Sequence, residues 1–230
     1  MKTILGLCFT ALATFAQLTT PTGSMPPATS MVKTTSTWSA GCLAGVTYEG
    51  TGYNLIGLDP ELGWGSSTGC EAWFEQSIAA KTAPFWAGLK VSLGQLTSGG
   101  RGSGEVGLGC KDNSTGNRVI LNINPSGALY VDEFDSTGAW SGTDVAATVL
   151  APMNSIFLQL RVKADYTYNF YYSPDGISWT PIYDSYRIVG TINCGHPIIH
   201  AWSGVGASGP VTSITLQQYI ETGGLYPYIP

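Results

Sequence analysis

The sequence has few charged side chains, almost no histidine and no long hydrophobic run. Asp, Glu, Lys and Arg make up 11% of the 230 residues, two residues are His, and the formal net charge is -5. A chain with so few cations lacks the basic surface that binds nucleic-acid backbones, so nucleic acid is excluded as a partner. No segment approaches the ~18 to 20 consecutive apolar residues of a membrane-spanning helix, and we therefore predict no membrane span.

Helical periodicity is scarce as well. No long segment keeps a helical period, and residues 72–81 are the one helical candidate. The chain instead shows period-two alternation in short runs bounded by Gly, Pro, Asn or Asp, which is typical of strands. With 43% apolar residues and 30 glycines, this pattern favours one all-β domain. The predicted strands cover residues 85–93, 104–110, 118–124, 128–134, 156–163, 166–173, 179–183, 196–203 and 213–220.

The N-terminal part of the chain differs in composition from the rest. Residues 1–16 combine a positive charge, an apolar run and a small residue before the expected cleavage site, which are the zones of a secretory signal peptide. Residues 17–37 are rich in Thr, Ser and Pro, as in an extended linker. We predict a folded domain over residues 38–221, a C-terminal tail over 222–230, and a secreted protein that is extracellular or periplasmic.

Cleavage of the signal peptide would remove Cys8 and leave an even set of cysteines. In an exported protein, such a set predicts two disulfides, and three pairings remain open. No two of these cysteines form a C-x-x-C pair, which argues against a zinc site. The four residues are Cys42, Cys70, Cys110 and Cys194.

Residues 166–179 read YTYNFYYSPDGISW, in which alternating aromatics lead into a Pro-Asp-Gly turn and a Trp. This pattern predicts a strand, a tight turn and a return strand. Together with LQLRV at 158–162 and GVGASG at 204–209, it resembles the concanavalin A-like lectin/glucanase superfamily, in particular the β-sandwich domain appended to β-xylosidases. The resemblance implies an all-β, two-sheet antiparallel β-sandwich with jelly-roll topology and a glycan-facing surface.

Each predicted strand divides into an apolar set of side chains and a polar set, because successive residues point to opposite faces. The apolar set is expected to form the core. The polar set is rich in amides and aromatics, which hydrogen-bond sugar hydroxyls and stack on sugar C–H groups. We predict that it forms a carbohydrate site on one concave sheet face, composed of Trp86, Asn122, Tyr130, Asp132, Gln159, Arg161, Asn169 and Tyr171.

Two alternatives to this site remain open. The polar set also fits the solvated face of an ordinary sheet. Trp64 and Trp140 lie in glycine-flanked segments that we interpret as loops, where an exposed Trp is a good binding anchor. The two histidines, His196 and His200, share a strand face but are too few for a metal site by themselves.

Catalytic motifs are incomplete. Members of the resembled superfamily that hydrolyse β-glucans carry two carboxylates on one strand in an E-x-D-x-x-E pattern. Here Glu133 and Asp135 match its first half, but Gly138 stands where the acid is required. Together with Asp132, these acids are interpreted as turn residues or as weak Ca²⁺ ligands. We therefore predict no catalytic residue and no cofactor.

The sequence thus predicts a secreted, non-catalytic, lectin-like domain whose partner is a poly- or oligosaccharide. The first alternative is a divergent glycoside hydrolase or polysaccharide lyase on the same fold, and the second is a structural or adhesive extracellular protein. Asn113, followed by Ser114 and Thr115, forms a sequon that a eukaryotic host would glycosylate.

Overall fold

The computed structural model describes residues 32–35, 46–49, 54–58, 70–75, 79–93, 105–124, 127–137, 139–149, 155–184, 192–203 and 214–223. Their regular secondary structure is entirely β-strand, which confirms the all-β prediction. No helix in the described ranges is long and apolar enough to span a membrane. The strands are β1 Val32–Thr35, β2 Val46–Glu49, β3 Asn54–Leu58, β4 Cys70–Glu75, β5 Phe85–Leu93, β6 Glu105–Asp112, β7 Arg118–Ile123, β8 Ala128–Phe134, β9 Trp140–Val149, β10 Ser155–Val162, β11 Tyr168–Ser173, β12 Thr180–Asp184, β13 Cys194–Ser203 and β14 Ile214–Gly223.

The strands form two antiparallel sheets. The first sheet has the order β1-β4-β13-β6-β7-β8-β9, and the second has the order β12-β11-β10-β5-β14-β3-β2. Strands β6 to β9 and β10 to β12 are neighbours in both sequence and space, as expected for hairpin connections. The central strands β13, β5 and β14 join partners that are distant in sequence.

The core lies between the two sheets, where β6 of the first sheet packs against β5 and β10 of the second. It takes side chains of one parity from each strand, and these are the apolar residues that alternation assigns to the inner face. The largest buried members include Phe74, Phe85, Leu89, Leu121 and Phe170. The expected β-sandwich is therefore confirmed.

A disulfide joins Cys110 on β6 to Cys194 at the start of β13, with a Cα–Cα distance of 5.5 Å. Both residues are buried in the core. The bond confirms one of the two predicted disulfides. Cys42 and the side chain of Cys70 lie outside the described residues.

Two sequence-based assignments need correction, the helical candidate and the loop at Trp140. The helical candidate at 72–81 is wrong, because its first part belongs to β4. Strand β1 at 32–35 overlaps the predicted linker and pairs with β4. Trp140 does not lie in a loop but begins β9. At the other end, β14 extends two residues past 221 to Gly223.

Candidate functional site

The predicted binding residues lie on outer faces, meaning the sheet faces turned away from the core, but they do not share one. The two outer faces of a sandwich point in opposite directions, so the prediction of a single concave face is wrong. The second sheet carries Trp86, Gln159, Arg161, Asn169 and Tyr171. The first sheet carries Asn122, Tyr130 and Asp132.

A series of side-chain hydrogen bonds crosses the outer face of the first sheet. The Nδ1 of His200 lies 3.1 Å from the Oδ1 of Asn122. The Nδ2 of Asn122 donates to the Oδ2 of Asp132 at 3.3 Å, and the indole Nε1 of Trp140 donates to the Oδ1 of Asp132 at 3.3 Å. Because the Oδ1 of Asn122 can only accept, this arrangement places the proton on the Nδ1 of His200. We call His200, Asn122, Asp132 and Trp140 the Asp132 chain.

Burial changes sharply along the Asp132 chain. His200, Asn122 and Asp132 are each 0% exposed, whereas Trp140 is 46% exposed. Phe134 packs against the His200 ring, with ring centroids 4.7 Å apart. Buried polar groups need hydrogen-bond partners to offset their lost hydration, and the chain supplies them to each other. A fixed, buried polar network thus ends at an exposed aromatic ring.

The chain can cross β6 because β6 carries glycine at that point. In the sheet register, Gly107 lies directly between His200 on β13 and Asn122 on β7. A methyl group added at Gly107 would collide with the carbonyl oxygen of Leu121 and would come 2.6 Å from the Oδ1 of Asn122. The Asn122 side chain therefore occupies the space above Gly107, where it reaches the histidine on the strand beyond.

A second polar cluster lies on the same outer face, centred on Glu75 of β4. The Oε1 of Glu75 accepts a hydrogen bond from the Trp73 indole at 3.1 Å and forms a salt bridge with Lys111. The Nδ1 of His196 lies 3.3 Å from the Oε2. The expectation that His196 and His200 share a face is thus confirmed, although each contacts a different group. The Arg118 guanidinium stacks over the Trp73 ring at 3.9 Å.

The outer face of the second sheet carries what we call the Arg161 cluster, which consists of its five predicted residues. The Nε of Arg161 donates to the Oε1 of Gln159 at 2.9 Å. The guanidinium lies 4.7 Å from the centre of the Tyr171 ring and covers one side of that ring. Trp86 is directly opposite Arg161 on the neighbouring strand. The cluster is therefore built around a cation that stacks on an aromatic ring.

The predicted aromatic platforms differ in their access to a ligand. Trp86 is only 6% exposed, so its ring is not presented to solvent. Tyr130 and Tyr171 are half-buried, while Trp140 is exposed. Trp64 lies outside the described residues. Of the platforms that the structure describes, Trp140 presents the largest share of its surface.

The polar set was also interpreted as the solvated face of an ordinary sheet, but the polar side chains of the outer faces are too buried for that interpretation. Asn122, Asp132 and Gln159 are almost fully buried, and Arg161 and Asn169 are also buried. Polar side chains on an ordinary solvated sheet face would be exposed to water. The polar set was thus correctly separated from the core, but its burial was not visible in the sequence.

The acids of the incomplete catalytic motif have separate positions. Asp135 is a turn residue, since its Oδ1 accepts N–H groups of Thr137 at 2.8 Å and of Ala139 at 3.1 Å. Asp132 and Glu133 lie within β8, so the interpretation of these two as turn residues is wrong. No group of three His, Cys, Asp or Glu side chains suited to a metal ion occurs in the described part of the chain.

The other buried acids of the first sheet's outer face are Glu75 and Glu105. Four strand spacings separate Glu75 from Asp132, which is about 19 Å, and the register places Glu105 about 16 Å from Asp132. Glycosidase carboxylates are about 5 to 9.5 Å apart. The backbone positions of Glu75 and Glu105 are thus farther from Asp132 than the carboxylate separation of such a pair.

Sequence reasoning did not connect His200 or Gly107 to the binding residues. The only sequence feature that pointed to His200 was its parity on a predicted strand, and no sequence feature pointed to Gly107. Their relation to Asn122 depends on the pairing of β13 with β6, across more than 80 residues of chain. Such long-range pairing is not encoded in local alternation.

The comparisons with known proteins bear on the fold. No protein-family model and no curated protein matches the sequence. Among solved structures, a protein of unknown function from Shewanella oneidensis MR-1 is 12% identical with a TM-score of 0.51, over 86% of this chain and 79% of that one. The exoplasmic/lumenal domain of VIP36, in its Ca2+/Man3GlcNAc-bound form, is 13% identical with a TM-score of 0.51, over 90% of each chain.

The chain shares the fold of this VIP36 domain, a concanavalin A-like β-sandwich. This confirms the expectation drawn from the hairpin at 166–179. A xylan β-1,4-xylosidase from Bacillus halodurans C-125 is 14% identical with a TM-score of 0.42, and this chain spans only 30% of it. That score supports no argument about the present chain. At these identities, the similarities establish the fold and leave the ligand to the site.

Proposed function

We propose that this chain is a secreted, non-catalytic carbohydrate-binding domain, and that its ligand stacks on Trp140 at the edge of the first sheet. The observation that carries the proposal is the exposed indole at the end of the buried Asp132 chain. Half-buried Tyr130 lies on the same outer face, two residues before Asp132, and adds a second aromatic group. Together with the turn that follows β8, these residues form what we call the Trp140 patch.

The chemistry of the Trp140 patch suits a sugar. An indole ring offers an apolar face to the C–H groups of a pyranose or furanose ring. Fixing the indole through its Nε1 before the ligand arrives reduces the conformational entropy lost on binding. The Asp132 carboxylate is fully buried, so we assign it the role of positioning the ring and not of contacting sugar hydroxyls. In the adjacent turn, the hydroxyl of exposed Thr137 donates to the Oδ1 of Asp135 at 2.6 Å, and its oxygen can still accept a hydrogen bond from a sugar hydroxyl.

The Arg161 cluster is a poorer candidate. One side of its Tyr171 ring is already covered by the guanidinium, and Trp86 is buried. A ligand would have to displace the cation or move the strands before it reached either ring. Of the two groups of predicted residues, the one on the first sheet therefore fits a carbohydrate better.

The charges around the Trp140 patch favour a neutral ligand. Asp132 and Asp135 are acidic, whereas the nearby cation Arg118, opposite Phe134 in the sheet register, is buried and donates to the backbone carbonyl of Asp135 at 2.8 Å. Uronate carboxylates would meet like charge there. We expect at least about tenfold stronger retardation in affinity gels with mannan, xylan or laminarin than with polygalacturonate, which corresponds to ~1.4 kcal/mol. Equal retardation by polygalacturonate would contradict this preference.

The shared fold supports carbohydrate as the ligand class, because the VIP36 domain was captured with Man3GlcNAc. The direct test is a glycan array followed by calorimetry with Trp140→Ala. We expect a loss of about 1 to 3 kcal/mol of affinity, the range for an aromatic anchor. Tyr171→Ala is the matched control and should bind normally. Loss of affinity in Tyr171→Ala together with normal binding in Trp140→Ala would move the site to the second sheet.

The main alternative is a hydrolase on the same fold, and an activity assay distinguishes it from a non-catalytic binding domain. The spacing of buried acids around Asp132 gives it no support. Reducing-sugar release should be measured on every glycan that the array identifies. Release that survives purification and disappears in Asp132→Asn would replace the non-catalytic proposal, and adhesion without glycan binding would favour a structural role.

The proposal includes export. The disulfide between Cys110 and Cys194 supports an oxidising compartment. It also reduces the three possible pairings to one, which leaves Cys42 to pair with Cys70. Asn113 and the two following residues are exposed in the turn after β6, as a glycosylation site requires. Mass spectrometry of the secreted chain should show a new N-terminus near Gln17 and no free thiol, and, from a eukaryotic host, a glycan on Asn113. An unprocessed chain with free thiols would refute export.

A further inference from the structure

Gly107 leaves a space on the outer face of the first sheet, and the Asn122 side chain fills it. We infer that Gly107 is a positioning residue for the Trp140 patch, and this inference rests on the proposed function of that patch. Gly107 is on β6, two strands from β8 and three from β9, so it does not contact a ligand on Trp140. Its effect would pass through the Asp132 chain.

The first step is the contact between Asn122 and His200. Two strands that flank a third are about 10 Å apart, too far for a direct hydrogen bond unless both side chains lean over the strand between them. The 3.1 Å contact shows that they do so above Gly107. Because even the smallest side chain at 107 would overlap Asn122, glycine is the residue that allows this contact.

The second step is the effect of Asn122 on the carboxylate. Asn122 uses its carbonyl oxygen for His200 and its N–H for Asp132, so a shift of the amide changes both bonds. Asp132 is 0% exposed, and water does not readily replace a lost donor there. The carboxylate would then rotate, and rotation moves the oxygen that accepts the Trp140 Nε1.

The third step concerns Trp140 itself. The bond to Asp132 restrains an indole that is otherwise half exposed. Without that restraint, the ring gains alternative rotamers and must be ordered again when a ligand binds. A change at Gly107 should therefore weaken binding while leaving the ring present.

The chain offers two matched controls. Gly109 lies two residues further along β6 on the same face, and a methyl group there would crowd Ile120 and the Val119 carbonyl, 2.9 and 2.6 Å away, but not Asn122. Gly109→Ala therefore reproduces the strain in β6 without touching the Asp132 chain. Gly142 lies on β9, where an added methyl group meets nothing within 4 Å, so Gly142→Ala tests the methyl group alone.

The experiment uses the mature secreted chain labelled with 15N-Trp. The indole N–H resonance of Trp140, assigned with Trp140→Phe, reports the hydrogen bond to Asp132 without any ligand. Binding is followed by retardation in gels that contain mannan, xylan or laminarin. We expect Gly107→Ala to shift or broaden this resonance and to lower affinity about tenfold, or ~1.4 kcal/mol. Gly109→Ala and Gly142→Ala should leave the resonance in place.

Asn122→Ala keeps the test decisive if Gly107→Ala fails to fold, because it removes the amide instead of crowding it. An unchanged Trp140 resonance in both Gly107→Ala and Asn122→Ala would overturn the inference. A shift in the resonance supports it even if the native chain binds none of the three polysaccharides. A glycan array without any hit would reject the proposed function and leave the positioning role intact.

Discussion

The two outer faces carry the same kinds of side chain, yet they hold them in different ways. Each face has a buried arginine stacked on an aromatic ring: Arg118 on Trp73 at 3.9 Å, and Arg161 on Tyr171 at 4.7 Å. On the first sheet, the arginine also donates to two backbone carbonyls, those of Gly116 and Asp135. On the second sheet, Arg161 donates to the side-chain amide of Gln159 on its own strand.

The consequence is a difference in how far each network reaches. On the first sheet, the Asp132 chain links β13 to β7, β7 to β8 and β8 to β9, and the Glu75 cluster separately links β4 to β13 and β6. Those of the Arg161 cluster link the neighbouring strands β10 and β11. A network that spans a sheet can fix the position of an edge residue, whereas a local pair cannot. This difference supports the proposed binding site on the first sheet, and we propose a mainly structural role for the Arg161 cluster.

The largest expected difference between the sheets comes from the disulfide of the first one. Cys110 and Cys194 close a loop with a sequence separation of 84 residues. The loop-entropy model assigns such a cross-link about 4.5 kcal/mol of unfolding free energy. The double variant Cys110→Ala/Cys194→Ala should lose about that amount of unfolding free energy, measured by urea unfolding. Because the variant lacks this bond, reductant should not lower its stability further through it. A loss below about 1 kcal/mol would show that the first sheet does not depend on its cross-link.

A smaller but direct comparison exchanges each stacked arginine for methionine, which keeps most of the aliphatic stem. Arg118→Met removes hydrogen bonds to two carbonyls as well as the stacking, and it should cost about 3 kcal/mol of unfolding free energy. Arg161→Met should cost about 1 to 2 kcal/mol, because the hydrogen bond to the Gln159 side chain and a longer stacking contact are lost. Urea unfolding at neutral pH measures both. A greater cost for Arg161→Met would reverse the comparison.

The sequence was a good guide to strands that are regular and apolar on one side. Alternation correctly located β5, β8 and the hairpin of β11 and β12, and it correctly assigned their inner side chains to the core. It failed at β4, where Trp73 packs on the outer face and Phe74 in the core. A strand buried on both faces gives a continuous apolar run that does not alternate. It also missed β9, whose pairing with β8 shifts register three times.

The site was less predictable than the fold, for a physical reason. Alternation states on which side of its own strand a residue lies, but not to which sheet the strand belongs. Asn122 and Gln159 were therefore assigned to one surface although they lie on opposite sides of the molecule. The contact between Asn122 and His200 requires the pairing of β6 with both β13 and β7, together with a glycine at the crossing point. Those conditions come from long-range packing.

A further comparison, with a smaller expected effect than the loss of the disulfide or of Arg118, concerns two aspartates with similarly low pKa values, one in a turn of each sheet. Burial raises the pKa of Asp112, but the N–H of Thr115, the hydroxyl of Ser114 and the N–H of Asn193 lower it more, from 3.8 to about 2. Asp112 thereby ties the turn after β6 to the segment before Cys194. In the exposed turn of β11 and β12, the N–H groups of Ser178 and Ile177 and the Ser173 hydroxyl lower the pKa of Asp175 to about 2 as well.

A carboxyl with a depressed folded-state pKa contributes stability above its unfolded pKa, and this contribution is lost as pH falls through the folded value. For Asp112, the shift corresponds to about 2 kcal/mol at neutral pH, lost progressively between about pH 4 and pH 2. Asp112→Asn should therefore be less stable than the native chain at pH 7 and nearly equal to it at pH 2, in urea unfolding at several pH values. Asp175→Asn should show the same trend with a smaller amplitude, because solvent screens the exposed carboxylate. If the stability of Asp175→Asn changed with pH as much as that of Asp112→Asn, or more, burial would not strengthen the turn of the first sheet. If Asp112→Asn were destabilised equally at all pH values, the charge of the Asp112 carboxylate would not be what holds that turn.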